Sequence, residues 1–232
     1  MMKGELLRWA VLGVMALAIT GCAEDELAPP FPGESGQEAP DAAAYPAGPY
    51  GISVGSTIAN YKFVGYINAM QVSDALQEIR LSDYYNPTGD AVYSDSPQEA
   101  QYGTGNPKPK ALLIVVSSVW CGPCNYEAET VLPGEYAQHK PAGGEFLMQL
   151  ADGPTPGEPA GQTDLYKWTL KYDVNYPSAI DPSYKLGALF NSDAFPANMI
   201  IDTRDMSIVE VIAGAPDAGF WNKFEQVLAG TQ

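Results

Sequence analysis

The hydrophobic pattern along the chain predicts an alternating α/β fold. Residues 111–119 form a nearly continuous apolar run rich in β-branched side chains, which is typical of a central strand buried on both faces. Residues 125–132 predict a helix that ends or bends near Pro133. Similar patterns predict strands over 145–151, 198–202 and 208–213, and helices over 164–172, 184–190 and 217–228. This order predicts a central sheet with helices on both faces and a helical insertion.

The segment ahead of this pattern is less regular. Residues 51–110 are rich in Gly, Asn, Asp and Tyr, with short apolar stretches such as 61–67. This composition predicts short strands and turns. The Pro- and Gly-rich residues 152–162 predict a surface loop between a strand and a helix.

The first residues have the pattern of an export signal. Two basic residues precede an apolar run over residues 9–19, and the small residues 20–21 stand ahead of Cys22. The run is shorter than the roughly 20 apolar residues that a transmembrane helix needs, and no second run of that length follows. We therefore expect a signal peptide over residues 1–21 and an exported chain.

An acidic stretch follows the signal. Residues 23–50 consist largely of Pro, Ala, Gly and acidic residues, without Lys or Arg. Such a sequence buries little and repels itself, so residues 22–50 should form an extended tether ahead of a folded domain over 51–232. The alternative is that the residues around Tyr45 and Tyr50 dock on the domain.

The net charge and the small number of Cys and His residues restrict what this protein can bind. The net charge of -16 comes from 28 acidic and 12 basic residues, which argues against nucleic acid or an anionic membrane surface as a partner. It favours neutral or basic proteins, although acidity can also serve solubility alone. With three cysteines and one histidine, His139, a structural zinc site could not be completed without carboxylates. We expect no metal.

The strongest chemical signal is the segment Trp120-Cys121-Gly122-Pro123-Cys124, which follows the predicted central strand and opens a helix. Free N–H groups at a helix start stabilise a thiolate, so the pKa of Cys121 should be lowered. Cys121 would attack a partner's disulfide, and Cys124 would resolve the mixed disulfide. Gly122 and Pro123 keep the turn short and rigid. A static structural disulfide and half of a metal site remain alternatives.

In this setting the cysteine segment resembles the active site of thioredoxin-like proteins. The exported context resembles their TlpA and ResA branch and the related redoxin (AhpC/TSA) domains. The resemblance implies a thioredoxin fold and a thiol-disulfide oxidoreductase without a cofactor. It would reduce disulfides of exported proteins, with electrons from a membrane donor.

The resemblance also implies roles for residues outside the cysteine pair. Glu127 matches a glutamate that tunes the pair or relays protons; the alternative is a solvated helix residue. Phe195-Pro196 matches the family's cis-proline loop, which with Trp120 would contact the partner chain. Thioredoxin's buried aspartate is replaced here by Val115, so that proton acceptor is absent.

Residues 19–22 resemble the lipobox of bacterial lipoproteins, in which the cysteine is acylated. This implies that Cys22 carries a lipid anchor, which would be the only membrane contact, on the periplasmic face of a bacterial membrane. Ala23 stands where many lipoproteins of the inner membrane have aspartate, which favours the outer membrane. An ordinary signal peptide that happens to contain a cysteine is the alternative.

Two other functions compete with disulfide reduction. Peroxiredoxins share this fold, and Ser118 fits their hydroxyl position, but Ile114 replaces the proline of their motif. A redox-inert binding module would suit the acidic tether but would leave the cysteine pair unexplained. Copper delivery would need a longer cysteine spacing and a suitably placed histidine.

Overall fold

The computed structural model describes residues 44–72, 75–183, 185–186 and 194–231. Within these ranges the strands are β1 (Lys62–Tyr66), β2 (Gln77–Arg80), β3 (Ala111–Ser118), β4 (Gly144–Asp152), β5 (Ser178–Ile180), β6 (Ala197–Asp202) and β7 (Ser207–Ala213). The α-helices are α1 (Gly122–Tyr126), α2 (Leu132–His139), α3 (Gln162–Lys171) and α4 (Ala218–Ala229). Short 3-10 turns cover Ala69–Gln71, Leu81–Tyr84, Ala100–Tyr102 and Lys140–Ala142.

The strands form one mixed sheet in the order β2-β1-β5-β4-β3-β6-β7. The central strands β3, β4 and β5 run parallel, and β6 pairs antiparallel with β3. Outside them, β7 is antiparallel to β6, β1 to β5 and β2 to β1. The predicted strands β3, β4, β6 and β7 are confirmed. The three-residue strand β5 was not predicted, because a run so short has no readable alternation.

The core lies at the centre of this sheet. Every residue of β3, β4 and β6 is buried, so side chains on both faces of the central strands are covered. Phe146 of β4 contacts Trp221 and Phe224 of α4 as well as Tyr136 of α2. Helices α2 and α4 therefore pack on the same face of the sheet, and burial of each such side chain contributes roughly 1.5–3 kcal/mol.

The helix after the cysteine pair changes register ahead of Pro133. Residues Glu127–Val131 form a π-helical turn between α1 and α2, in which the Leu132 N–H donates to the Glu127 carbonyl five residues earlier. Pro133 has no N–H to donate, so a local change of hydrogen-bond register accommodates it. The predicted end of the helix near Pro133 is not observed: the helical stretch starts earlier, at Gly122, and continues to His139 with a change of hydrogen-bond register ahead of the proline.

Residues ahead of the predicted boundary at Gly51 already pack on the folded domain. Tyr45 is half-buried, its O–H donates to the Ile58 carbonyl at 2.8 Å, and its ring lies 5.8 Å from that of Tyr85. The docking of the residues around Tyr45 is therefore observed, and the tether cannot extend to residue 50. The physical reason is that an aromatic ring can be buried even in a Pro-rich stretch.

Several predictions concern residues outside the described ranges. The signal peptide, most of the tether and Cys22 lie there, as does the predicted helix over 184–190 except for a turn at 185–186. None of the helices in the described part of the chain is long and apolar enough to cross a membrane.

Candidate functional site

Cys121 and Cys124 form a disulfide at the point where β3 gives way to the helical stretch. Cys121 is the N-cap of α1, its Sγ accepts the N–H of Cys124 at 3.1 Å, and the two Cα atoms are 5.3 Å apart. Cys121 is 3% exposed and Cys124 is fully buried, whereas Gly122 and Pro123 are exposed. The predicted pairing is present. The same N–H that contacts Sγ here is placed to stabilise a thiolate at Cys121 after reduction.

The proline loop lies against Trp120, the residue directly ahead of Cys121. The Phe195–Pro196 peptide bond is cis, and Ala197, the next residue, pairs with Val116 of β3. The Phe195 ring meets the Trp120 ring edge-on at 5.8 Å between centroids. The structure therefore brings together Trp120, the cysteine segment and the proline loop at one end of the central strands.

Trp120 is also held from β4. Its Nε1–H donates to Asp152 Oδ2 at 2.9 Å, and the same oxygen accepts the N–H of Gly157 at 2.9 Å. Asp152 thus connects the ring beside Cys121 to the loop that follows β4. Sequence reasoning placed Asp152 in a loop and missed this contact.

Asn125, directly after Cys124, joins the cysteine loop to α3. Its Nδ2 donates to the carbonyls of Val119 at 3.1 Å and Cys121 at 2.6 Å. Its Oδ1 accepts from Lys171 Nζ at 3.1 Å and from the Tyr172 hydroxyl. The Nδ2 group therefore fixes the backbone on both sides of Trp120, while Oδ1 connects this segment to the end of α3.

Glu127 is buried, and it follows Cys124 by about one helical turn. It is 0% exposed, so the alternative of a solvated helix residue is wrong. Burial raises the pKa of this carboxyl to about 7, while a hydrogen bond from Asn198 Nδ2 to Oε1, at 3.0 Å, opposes the rise. A carboxyl that titrates near neutrality can take up and return a proton under physiological conditions.

Asn198 connects the Glu127 carboxyl to the central strands. Asn198 of β6 pairs in register with Val115 of β3, the position of thioredoxin's aspartate. Paired residues share a face of the sheet, so the Glu127 carboxyl approaches this face from the helix side through its bond to Asn198. Asn198 was not predicted. The signal for it was a single amide within the otherwise apolar run Ala197–Ile201.

Among the described residues, no group of three or more His, Cys, Asp or Glu side chains is placed to hold a metal ion. His139 and the Glu135 carboxylate that it contacts lie away from the cysteine pair. His139 is buried against Trp221 and Phe224 and contacts Glu135 at 3.2 Å.

The fold is shared with solved structures of low sequence identity. A protein of Chlorobium tepidum described as a thiol:disulfide interchange protein DsbE superposes with a TM-score of 0.52 at 18% identity, covering 78% of this chain and 100% of its own. A secreted thiol-disulfide isomerase of Corynebacterium glutamicum gives 0.52 at 12% identity, over 83% and 96% of the two chains. A hypothetical protein of Sinorhizobium meliloti gives 0.53 at 15%, over 79% and 88%.

No family model matches the sequence, and no curated protein matches it. At 12–18% identity the structural likenesses establish the fold. The chain has the thioredoxin fold, a mixed α/β arrangement around a central sheet, as the sequence predicted.

Proposed function

We propose that this protein is a thiol-disulfide oxidoreductase that reduces disulfides of other exported proteins. The observation that carries the proposal is the Cys121–Cys124 disulfide at the start of the helical stretch, in which Cys121 is 3% exposed and Cys124 is fully buried. The two solved structures described above as interchange and isomerase proteins have the same fold, which agrees with this chemistry.

In the reduced protein the Cys121 thiolate attacks one sulfur of a partner disulfide. A mixed disulfide forms, and the partner's other sulfur leaves as a thiolate. The Cys124 thiolate then attacks Cys121 Sγ, which closes the pair and releases the second partner thiol. Two electrons pass from the pair to the partner, and an external dithiol donor at the membrane must return them.

Glu127 takes the proton of the Cys124 thiol in this proposal. A buried thiol ionises reluctantly in apolar surroundings, and a carboxyl with a pKa of about 7 on the same helical turn is a suitable acceptor. Trp120, Gly122, Pro123, Phe195 and Pro196 would form the surface on which the partner chain docks. Gly122 and Pro123 are exposed beside the disulfide and Trp120 is half-buried, whereas Phe195 is buried against the Trp120 ring.

A trapping experiment tests these assignments. With Cys124→Ser, attack on a disulfide substrate such as insulin should stop at a mixed disulfide through Cys121, visible on non-reducing gels. Cys121→Ser is the matched control, and it should trap nothing because the remaining thiol is buried. If both variants trap equally, the assignment of nucleophile and resolving cysteine is wrong. If neither variant nor the parent exchanges with substrate, the binding-module function replaces this one.

We also propose that the protein is exported and anchored through an acylated Cys22 on the periplasmic face of a bacterial membrane, preferentially the outer one. The support is the apolar run ahead of Cys22 and the small residues before it. In the full chain, Cys22→Ser should move the protein from the membrane fraction to the exported soluble fraction. Retention in the membrane fraction would contradict the lipid anchor.

A further inference from the structure

Lys171, the last residue of α3, is a cation that contacts the cysteine segment and to which the proposed reaction gives no role. Its Nζ donates to Asn125 Oδ1 at 3.1 Å and lies 4.6 Å from the centre of the Tyr172 ring. It forms no ion pair with a carboxylate in the part of the chain that the structure describes. Its positive charge is therefore not neutralised by a salt bridge, although acidic residues outnumber basic ones by 28 to 12 in this chain.

Asn125 connects Lys171 to the backbone of Cys121. Its Nδ2 donates to the Cys121 carbonyl at 2.6 Å, while its Oδ1 accepts from the lysine. Because one amide group separates the ammonium from Cys121, the two hydrogen bonds keep Nζ within about 8 Å of the Cys121 carbonyl oxygen, roughly one Debye length at physiological ionic strength. Over such a distance a unit charge still acts on another charge.

The other ionisable groups around the cysteine segment bring no positive charge. Asp152 of β4, which binds the tryptophan ring beside the pair, and the buried Glu127 of the helical stretch are acids. Tyr172 donates its hydroxyl to the same Asn125 oxygen as Lys171, which supplies a hydrogen bond without a charge. Among the described residues in contact with this segment, Lys171 therefore supplies the positive charge.

We propose that Lys171 is a positioning residue for the cysteine pair: Asn125 holds its ammonium beside the pair, where it stabilises the Cys121 thiolate of the reduced protein. A nearby cation favours the charged form of a thiol, and the thiolate is the form that attacks a disulfide. Lys171 therefore enlarges the fraction of Cys121 that is ready to react at neutral pH. Its part in disulfide exchange rests on the proposed function, whereas its effect on the thiol does not.

The test compares two substitutions that each remove one donor from the same amide oxygen. Lys171→Met removes the charged donor, whereas its matched control, Tyr172→Phe, removes the neutral donor and keeps the ring that packs on Trp168 at 4.7 Å. In either variant the other donor still holds the amide, so the backbone of the cysteine segment should stay in place. The variants are made in the full chain with Cys22→Ser, and the pH dependence of Cys121 alkylation by iodoacetamide is measured in the reduced protein by mass spectrometry.

Lys171→Met should raise the midpoint of Cys121 alkylation by about 0.3–0.5 pH unit, so that the thiolate fraction falls roughly two- to threefold at pH values below the midpoint. Tyr172→Phe should leave the midpoint unchanged, and Lys171→Arg, which keeps the charge, should have the parent midpoint. An unchanged midpoint in Lys171→Met, or a shift of the same size in Tyr172→Phe or in Lys171→Arg, would overturn the proposal. The alkylation needs no partner protein, so failure of disulfide exchange in the trapping experiment would count against the proposed function alone.

Discussion

Replacing Glu127 by Gln should change how the stability of the protein depends on pH. Burial raises the pKa of this carboxyl from 4.5 to about 7, so the folded protein holds a proton that the unfolded chain releases. Below about pH 4.5 the carboxyl does not lower the free energy of unfolding, because it is protonated in both the folded and the unfolded state. Between these values the folded state loses stability as pH rises, and above about pH 7 the loss stays constant.

The size of the effect follows from the two pKa values. Between pH 5 and pH 8 the carboxyl should lower the free energy of unfolding of the parent by about 2–3 kcal/mol. Glu127→Gln removes the titration and still offers an acceptor to Asn198. From pH 5 to pH 8 the unfolding free energy of the variant should therefore rise by about 2–3 kcal/mol relative to that of the parent.

Urea unfolding of the oxidised proteins at pH 5, 6, 7 and 8 measures this difference. The matched control is Glu129→Gln, two residues along the same helical stretch, where the side chain is exposed. The difference in unfolding free energy between Glu129→Gln and the parent should stay within about 0.5 kcal/mol and show no trend with pH. A flat difference for Glu127→Gln would mean that the carboxyl is not desolvated, and the proton-acceptor role would lose its physical basis.

Three further substitutions test the surroundings of the pair. Asn198→Ala removes the hydrogen bond that opposes the raised pKa of Glu127, so an NMR titration should find the carboxyl midpoint at higher pH; a lower midpoint would contradict the assignment. Trp120→Phe keeps the aromatic ring but loses the bond to Asp152, and urea unfolding should show a loss of about 1 kcal/mol; no loss would mean that the bond contributes nothing. Asn125→Ala should cost about 1–3 kcal/mol and alter the reduction potential in redox buffers, and an unaltered potential would limit the amide to a structural role.

The central part of the fold could be predicted because its patterns are long. The β3 run and the apolar strands β4, β6 and β7 carry enough β-branched and apolar positions to be recognised without tertiary information. The cysteine segment was recognisable because chemistry and position agree: a C-x-x-C pair between a buried strand and a helix.

The remaining features depend on contacts distant in sequence. Strand β5 has three residues, and it is a strand only because β4 and β1 lie on either side of it. The burial of Glu127 was not readable from its helical neighbours, since the cover comes from β6, 71 residues away. The contacts of Tyr45 and of Asn125 likewise depend on segments that meet only after folding.

The reduction potential of the Cys121/Cys124 couple tests the account most directly. A form of the protein that begins at Ala23 lacks the Cys22 thiol, so only this pair exchanges with glutathione or dithiothreitol buffers before thiol trapping. The account predicts a reversible two-electron couple with a potential below about -230 mV, suited to a reductase. A value above roughly -180 mV would make the protein an oxidant or isomerase, and the absence of reversible exchange would contradict the oxidoreductase function itself.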